Sequence, residues 1–483
     1  MTTVLAIDQG TSGTKAVVVD AAGSVLALSE RTVRPAYLPG GGVEQDPLAL
    51  LDSVLETGRE AVARAGVGVD VVTIANQGET VLAWDPESGD PLSNMIVWQD
   101  RRAEEVCAPL APHADLVRQR TGLVLDPYFS APKQTWLRRH ATAEGVVTTS
   151  DSWLIHRLTG EFVTDASTAS RSLALDIDRV EWDAELLALF ELADERLPRI
   201  VACDEIVGST TAFGRPMAVG GLVVDQQAAL LAQRCLAPGE AKCTFGTGAF
   251  LLANTGTTAV RSTSGLASSV AWSARGETTY CLDGQVYTAA SAVRWLEHLA
   301  FIDSARDLDR VAADDAEGVL CVPALAGLAA PWWRPDATAT FTGMTLSTGA
   351  PQLVRAVLEG IAAQVAELAR CMGADLGRPL ERLRVDGGLT RSRVLMQAVA
   401  DLTRIPVDVY PSQHATPLGA AALARCAVDP GLALADAVIP WAPSETFEPR
   451  WSDDRATEFS ARWRRVAELR VATKEASGPV ETV

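Results

Sequence analysis

The sequence predicts an α/β protein made of two similar halves that close on a cleft. Three features point to it. Short β-branched apolar runs alternate with stretches of 3.6-residue periodicity. A glycine-threonine hairpin occurs twice, as Gly10-Thr11-Ser12-Gly13 and again as Gly246-Thr247-Gly248, each between two apolar runs. Several strands end in polar residues, which is where α/β proteins build sites.

The first strand runs through Leu5-Ala6-Ile7 and breaks at Asp8 into small and polar residues before a second apolar run at 16–19. The hairpin tip is mostly backbone N–H and hydroxyl, so it can wrap an anion. An ordinary hairpin with a polar turn explains the stretch equally well. Asp8 beside the tip suits a metal–phosphate complex, because Mg²⁺ takes oxygen ligands and keeps several waters. Asp46-Pro47 starts a helix, Asp46 as cap and Pro47 in the first turn. A strand at 70–75 ends at Asn76-Gln77-Gly78-Glu79-Thr80. An apolar run from Met95 ends at Trp98-Gln99-Asp100-Arg101-Arg102. Both read as pocket edges, the second also as a strand end with solvated charges. Helices begin near Lys133 and Ser150. A short strand at 219–224 places Asp225-Gln226-Gln227 at a helix N-terminus, where the dipole favours an ionised carboxylate. From local sequence alone, an ordinary N-cap accounts for Asp225.

In the second half, helices are read at 292–301 and 351–372. The latter carries a core stripe of Val354, Leu358, Ile361, Val365, Leu368 and Met372. Leu383-Arg384-Val385-Asp386-Gly387-Gly388 is a strand ending in a glycine pair, where a ligand can approach the backbone. A helix follows from about Ser392. The alanine-rich helix opening at Pro417-Leu418-Gly419-Ala420 has small residues that permit close packing. An amphipathic helix near the C-terminus, marked by Trp451, Phe459, Trp463, Val466 and Leu469, is expected to dock on the body.

Of 483 residues, 48% are hydrophobic and 21% charged, so a large folded core is expected. A net charge of −19 has the wrong sign for tracking nucleic-acid phosphates, and no nucleic-acid partner is expected. Eight cysteines without CxxC or zinc spacing read as buried hydrophobes in a reducing compartment. The longest apolar stretch, 319–333, is broken by Pro323 and Pro331, so no membrane insertion is expected. The N-terminus enters a strand at once, without a leader pattern, and the expected location is cytoplasmic.

Taken in order, these motifs resemble the FGGY family of carbohydrate kinases, most closely its glycerol kinases, over roughly residues 4–430. The opening hairpin resembles the family's first phosphate motif, and residues 75–102 its substrate region. Tyr128-Phe129-Ser130 through Lys133 and Trp136-Leu137 resembles the first family signature, with Gln134 where an apolar residue is usual. Residues 339–359, including Gly343-Met344, Gln352-Leu353 and Ala356-Val357-Leu358-Glu359, resemble the second. The resemblance implies an α/β fold of two actin-like, ribonuclease-H-like ATPase domains with an interdomain cleft. Residues 1–230 would carry the phosphate hairpin, substrate pocket and catalytic base. Residues 231–483 would carry the second phosphate loop, the adenosine site and a helical tail.

The resemblance further implies transfer of the ATP γ-phosphate to a hydroxyl of a small polyol or sugar, with Mg²⁺ as cofactor, in a chain that can form a homodimer or homotetramer. Asp225 corresponds to the base, ionised at neutral pH, and Asp8 would hold Mg²⁺. Thr11, Ser12, Lys15, Thr247 and Gly248 would face the phosphates, and Gly387, Gly388 and Ser392 the adenosine. Lys15 stands where Arg is usual and Ser392 where Asn is usual. The polyol would meet Gly78, Glu79, Trp98, Tyr128, Asp225, Gln226 and Phe250. Gly78 replaces an Arg that donates to substrate hydroxyls in glycerol kinases. Losing a charged donor costs on the order of 1.5–3 kcal/mol, or roughly 10- to 100-fold in affinity. The acceptor therefore stays open between glycerol, or a glycerol-like polyol, and a longer polyol or ketose of the erythritol, xylitol, xylulose or ribulose type. A non-catalytic sensor that kept the fold would be expected to lose Asp8 or Asp225, and both are present.

Overall fold

A computed structural model describes residues 2–472. Among them, two seven-stranded sheets form the frames of the two halves. In the first, β1 (Val4–Gln9), β2 (Gly13–Val19) and β3 (Val25–Thr32) are antiparallel neighbours. β1 also runs parallel to Val71–Asn76. That strand is flanked by Met217–Gly220 and by the two-residue strand Val223–Val224.

Val4, Leu5, Ala6 and Ile7 are all fully buried because β1 is covered on both faces. Leu5 and Ile7 pack with Leu50 and Val54 of α1 (Pro47–Ala65). Val4 and Ala6 pack instead with Ala421 and Ala424 of the helix Ala415–Val428. A helix from late in the chain thus closes the back of the first sheet. Asp46 caps α1, its carboxylate accepting from the backbone N–H of Leu48 and Ala49.

The second sheet repeats the plan. Ala241–Phe245 and Ala249–Gly256 form an antiparallel hairpin. Glu277–Val286 adds antiparallel on one side, and Leu383–Asp386 adds parallel on the other. This is the arrangement of β3, β2, β1 and Val71–Asn76, so the echo of two hairpins in the sequence is an echo of architecture. The helix Ala350–Leu376 spans this sheet with all six residues of its expected stripe buried, and it runs one turn beyond 372 to a left-handed cap at Gly377. Near the C-terminus, Trp463 of the helix Asp453–Ala472 is buried and its indole N–H donates to the Cys321 carbonyl at 2.7 Å. Division at 230/231 falls within the helix Asp225–Ala232, between the sheets. The expected C-terminal half includes residues 473–483, which lie outside the described residues.

All eight cysteines are buried and unpaired. No helix of the described residues is long and apolar enough to cross a membrane.

Candidate active site

The hairpin turns of both halves face one cavity of about 560 Å³. Thr11 and Ser12 line it from the first half, and Gly246, Thr247 and Gly248 from the second. Gly248 has no room for a side chain, since a Cβ there would run into the Val286 carbonyl oxygen. The remaining walls include Glu79, Trp98, Tyr128, Asp225, Gln226 and Phe250. Ten of the residues given site roles from the sequence, all of these but Gly246, thus converge on one space.

Three aromatic rings form an apolar corner. Trp98 meets Tyr128 and Phe250 edge-on, with centroids 5.6 and 6.0 Å apart. The Trp98 indole N–H donates to Thr11 Oγ1 at 2.8 Å, which ties the corner to the phosphate-type hairpin. The strand expected to lead to Trp98 is only Met95–Ile96. A turn follows because the fully buried Asp100 carboxylate accepts from the backbone N–H of Val43 and Arg102. Arg102 pairs with Asp100 and Glu44, and Arg101 with Asp126 and Glu104. The stretch forms a cavity edge at Trp98 and Gln99, as read from the sequence, while the charges after them brace the fold through ion pairs.

Asp225 opens the helix Asp225–Ala232. Burial pushes its carboxyl from 3.8 up to about 7, helped by the nearby Asp8 and opposed by Lys242. This departs from the expectation of an ionised carboxylate at neutral pH, because desolvation outweighs the helix dipole. Asp8, at the end of β1, is pushed up to about 6 by burial, with Lys15 opposing. Lys242 is fully buried and donates to Gln226 Oε1 at 2.6 Å and Thr244 Oγ1 at 2.8 Å. Thr244 in turn donates to Asp386 at 2.5 Å. This chain of bonds links the second sheet to the helix bearing Asp225.

Several expected residues sit elsewhere. Lys15 pairs with Glu30 across β2 and β3 at 3.1 Å and does not line the cavity, though it lies close enough to hold the Asp8 carboxyl down. Ser392 is the N-cap of the helix Arg393–Thr403 and donates to Asp309 at 2.6 Å. Its hydroxyl is engaged in the fold rather than turned toward an adenosine. Gly387 has φ 97°, and a Cβ there would strike the Phe245 carbonyl oxygen. Beside it, Gly388 faces open space. Gly78 does not line the cavity. Its φ of 63° is followed by 44° at Glu79, so two left-handed residues turn Glu79 inward.

The sequence reading missed four inward-facing groups. Arg171 and Asp283 lie deep in the cavity wall, while Arg34 and Arg294 line it with exposed side chains. Arg171 is ion-paired to Glu79 and to Asp283. Only the spatial match of distant segments could have found them.

Comparison with known proteins agrees with this geometry. The model of the FGGY family of carbohydrate kinases matches residues 3–232 with its N-terminal domain and 241–428 with its C-terminal domain. The chain belongs to the FGGY family of carbohydrate kinases. A glycerol kinase of Aromatoleum aromaticum is 42% identical, covering 97% of this chain and 98% of that relative. One from Thermus brockianus is 39% identical, covering 96% and 98%. Among solved structures, Plasmodium falciparum glycerol kinase with ADP superposes with a TM-score of 0.88 at 32% identity, covering 97% of this chain and 98% of that one. A xylulose kinase from Brucella ovis has a TM-score of 0.86 at 24% identity, which shows the shared fold. The FGGY kinase described here thus has the two-domain, actin-like architecture of that family.

Proposed function

We propose that this FGGY kinase transfers the γ-phosphoryl group of ATP to a terminal hydroxyl of glycerol. The observation that carries the reading is the cavity itself: Asp225 lines it together with two phosphate-type hairpins and an aromatic corner of Trp98, Tyr128 and Phe250. Full-length similarity to glycerol kinases supports glycerol as the acceptor over longer polyols and ketoses.

The chemistry follows from the side chains. A hydroxyl is a poor nucleophile, and Asp225 takes its proton as the bond to phosphorus forms. A carboxyl near 7 is about half ionised at neutral pH and is a stronger base than an ordinary aspartate. Gln226, fixed by Lys242, and Glu79, fixed by Arg171, orient the acceptor hydroxyls. The Trp98, Tyr128 and Phe250 rings cover its carbon chain and exclude water. The backbone of residues 246–248 and the Thr11 and Ser12 region cradle the phosphates, and Gly387 and Gly388 leave room for the adenosine.

Among the described residues no group of three or more ligating side chains could enclose a metal ion. That suits Mg²⁺, which such kinases hold through one carboxylate and substrate phosphates. Asp8, a partly buried carboxylate at the end of β1 beside the first hairpin, is the residue that would hold it. When bound, the ion neutralises phosphate charge. We assign the protein to the cytoplasm, on the strength of its eight buried, unpaired cysteines.

The test is ADP formation with MgATP and a panel of glycerol, erythritol, threitol, xylitol, ribitol, xylulose and ribulose. Glycerol should give the highest kcat/KM. A longer acceptor that exceeds it, or no phosphorylation of any, overturns the reading.

A further inference from the structure

The deep wall of the cavity holds hydrogen-bonding capacity that the protein does not use. Arg171 is 3% exposed, and its guanidinium lies 5.7 Å from the ring centroids of both Tyr128 and Phe129. One nitrogen bonds Glu79. Its Nη1 lies 2.8 Å from Asp283 Oδ2 but aims no N–H along a hydrogen bond at any protein atom. Beside it, Asp283 Oδ1 and Gln77 Oε1 are buried acceptors without a donor, and both residues line the cavity. Natural proteins leave few buried polar groups unpaired, and a charged one least of all. Of the three arginines lining the cavity, Arg34 and Arg294 are exposed, and Arg171 alone is buried.

We propose that Arg171, together with Asp283, is the specificity-determining pair that binds a non-reacting hydroxyl of the acceptor. A hydroxyl both accepts and donates, so one group satisfies Arg171 Nη1 and Asp283 Oδ1 together. The glutamate between the two ends fits this arrangement. Glu79, paired to Arg171, lines the same cavity as Asp225, at the reacting end, and Tyr128. Position 78 contributes no side chain, so the buried guanidinium reaches the acceptor from residue 171 instead. The inference rests on the polyol kinase reading above and extends it to which hydroxyl pattern is recognised.

The experiment compares glycerol with 1,2-propanediol and 1,3-propanediol, each lacking one hydroxyl, in the wild type, Arg171→Gln and Asp283→Asn. Wild-type rates on the polyol panel test the kinase reading by themselves. The ratio of kcat/KM for the triol to that for the diol tests the pair. In the wild type, loss of the recognised hydroxyl should cost roughly 10- to 100-fold. That ratio should collapse at least fivefold in Arg171→Gln and in Asp283→Asn. Asp283→Asn leaves the Arg171–Glu79 pair charge-balanced, so it reports even if Arg171→Gln does not fold. A merely structural role would lower kcat/KM for every acceptor alike. Ratios within twofold of the wild type in a folded variant overturn the proposal.

Discussion

Replacing Asp225 by Asn should abolish activity and stabilise the ligand-free protein, most of all at alkaline pH. The folded carboxyl titrates at about 7 against 3.8 when free. The unfolded state is therefore ionised from about pH 4 upward, while the folded state must hold its proton or bear a desolvated charge up to pH 7. Stability is lost as pH rises through that window, and the loss is complete above it. At 1.36 kcal/mol per pH unit, the burden is about 2 kcal/mol at pH 5 and about 4 kcal/mol at pH 8. Asn removes it. Thermal unfolding of the two proteins at both pH values should show the variant more stable, with the larger gap at pH 8. In the same preparations kcat should fall at least ~10²-fold. The wild-type kcat/KM should rise with pH through an apparent pKa near 7 that the variant lacks. A variant that keeps more than a tenth of wild-type kcat, or that is less stable at pH 8, refutes the assignment of Asp225 as a buried base.

Three further outcomes follow from the packing. Lys133 is fully buried and donates to the carbonyls of Pro127, Tyr128 and Phe129. Lys133→Met leaves those carbonyls unpaired and should cost at least ~3 kcal/mol in denaturant unfolding; in the folded fraction the polyol KM should rise more than the ATP KM. In the helix Ala415–Val428, a Cβ at Gly419 would run into the Ala228 carbonyl oxygen, three residues past Asp225. Gly419→Ala should cost ~1–3 kcal/mol and lower kcat by displacing that helix, as steady-state kinetics would show. Ser392→Ala should cost ~1 kcal/mol as a lost N-cap and leave the ATP KM within twofold; a tenfold rise in that KM would return Ser392 to the adenosine site.

Local chemistry carried the fold further than the site. Two glycine-threonine hairpins at matching places implied duplication, and six strands of each sheet follow the same order. Asp46-Pro47 marked the start of α1 because a cap acts within three residues. Local chemistry picked out the hairpin tips at Thr11, Ser12, Thr247 and Gly248, whereas Asp225 stood out only through the family resemblance; all five line one cavity. The site was not legible where it depends on what a side chain meets across space. Arg171 looks like any arginine between two serines until Glu79 and Asp283, respectively 92 and 112 positions away, are seen against it. Asp225 read as ionised because a helix N-terminus is visible in sequence, whereas its burial, and the approach of Asp8 from another strand, are not. Gly78 read as a lost donor, but its backbone geometry shows a turn that glycine suits and that aims its neighbour.

Asp225 in the cavity wall, with Asp8 and Asp386 outside its lining, imposes a condition on nucleotide binding. Burial raises the carboxyls of Asp8, Asp225 and Asp386 together, and the buried cation that opposes all this inside the wall is Lys242, acting on Asp225 and Asp386. Free ATP carries charge of the same sign as these groups. A like-charge pair about 5 Å apart at an effective dielectric near 20 costs roughly 3 kcal/mol, so metal-free ATP should bind poorly and MgATP well. Asp8→Asn separates the two effects. It removes repulsion from free ATP and removes the carboxylate that would hold the ion. Calorimetric titration should then show MgATP affinity falling at least tenfold while ATP in EDTA binds as well as or better than in the wild type. If both affinities fall together, Asp8 acts only as a brace for the hairpin, and the cation must be held from elsewhere in the cleft.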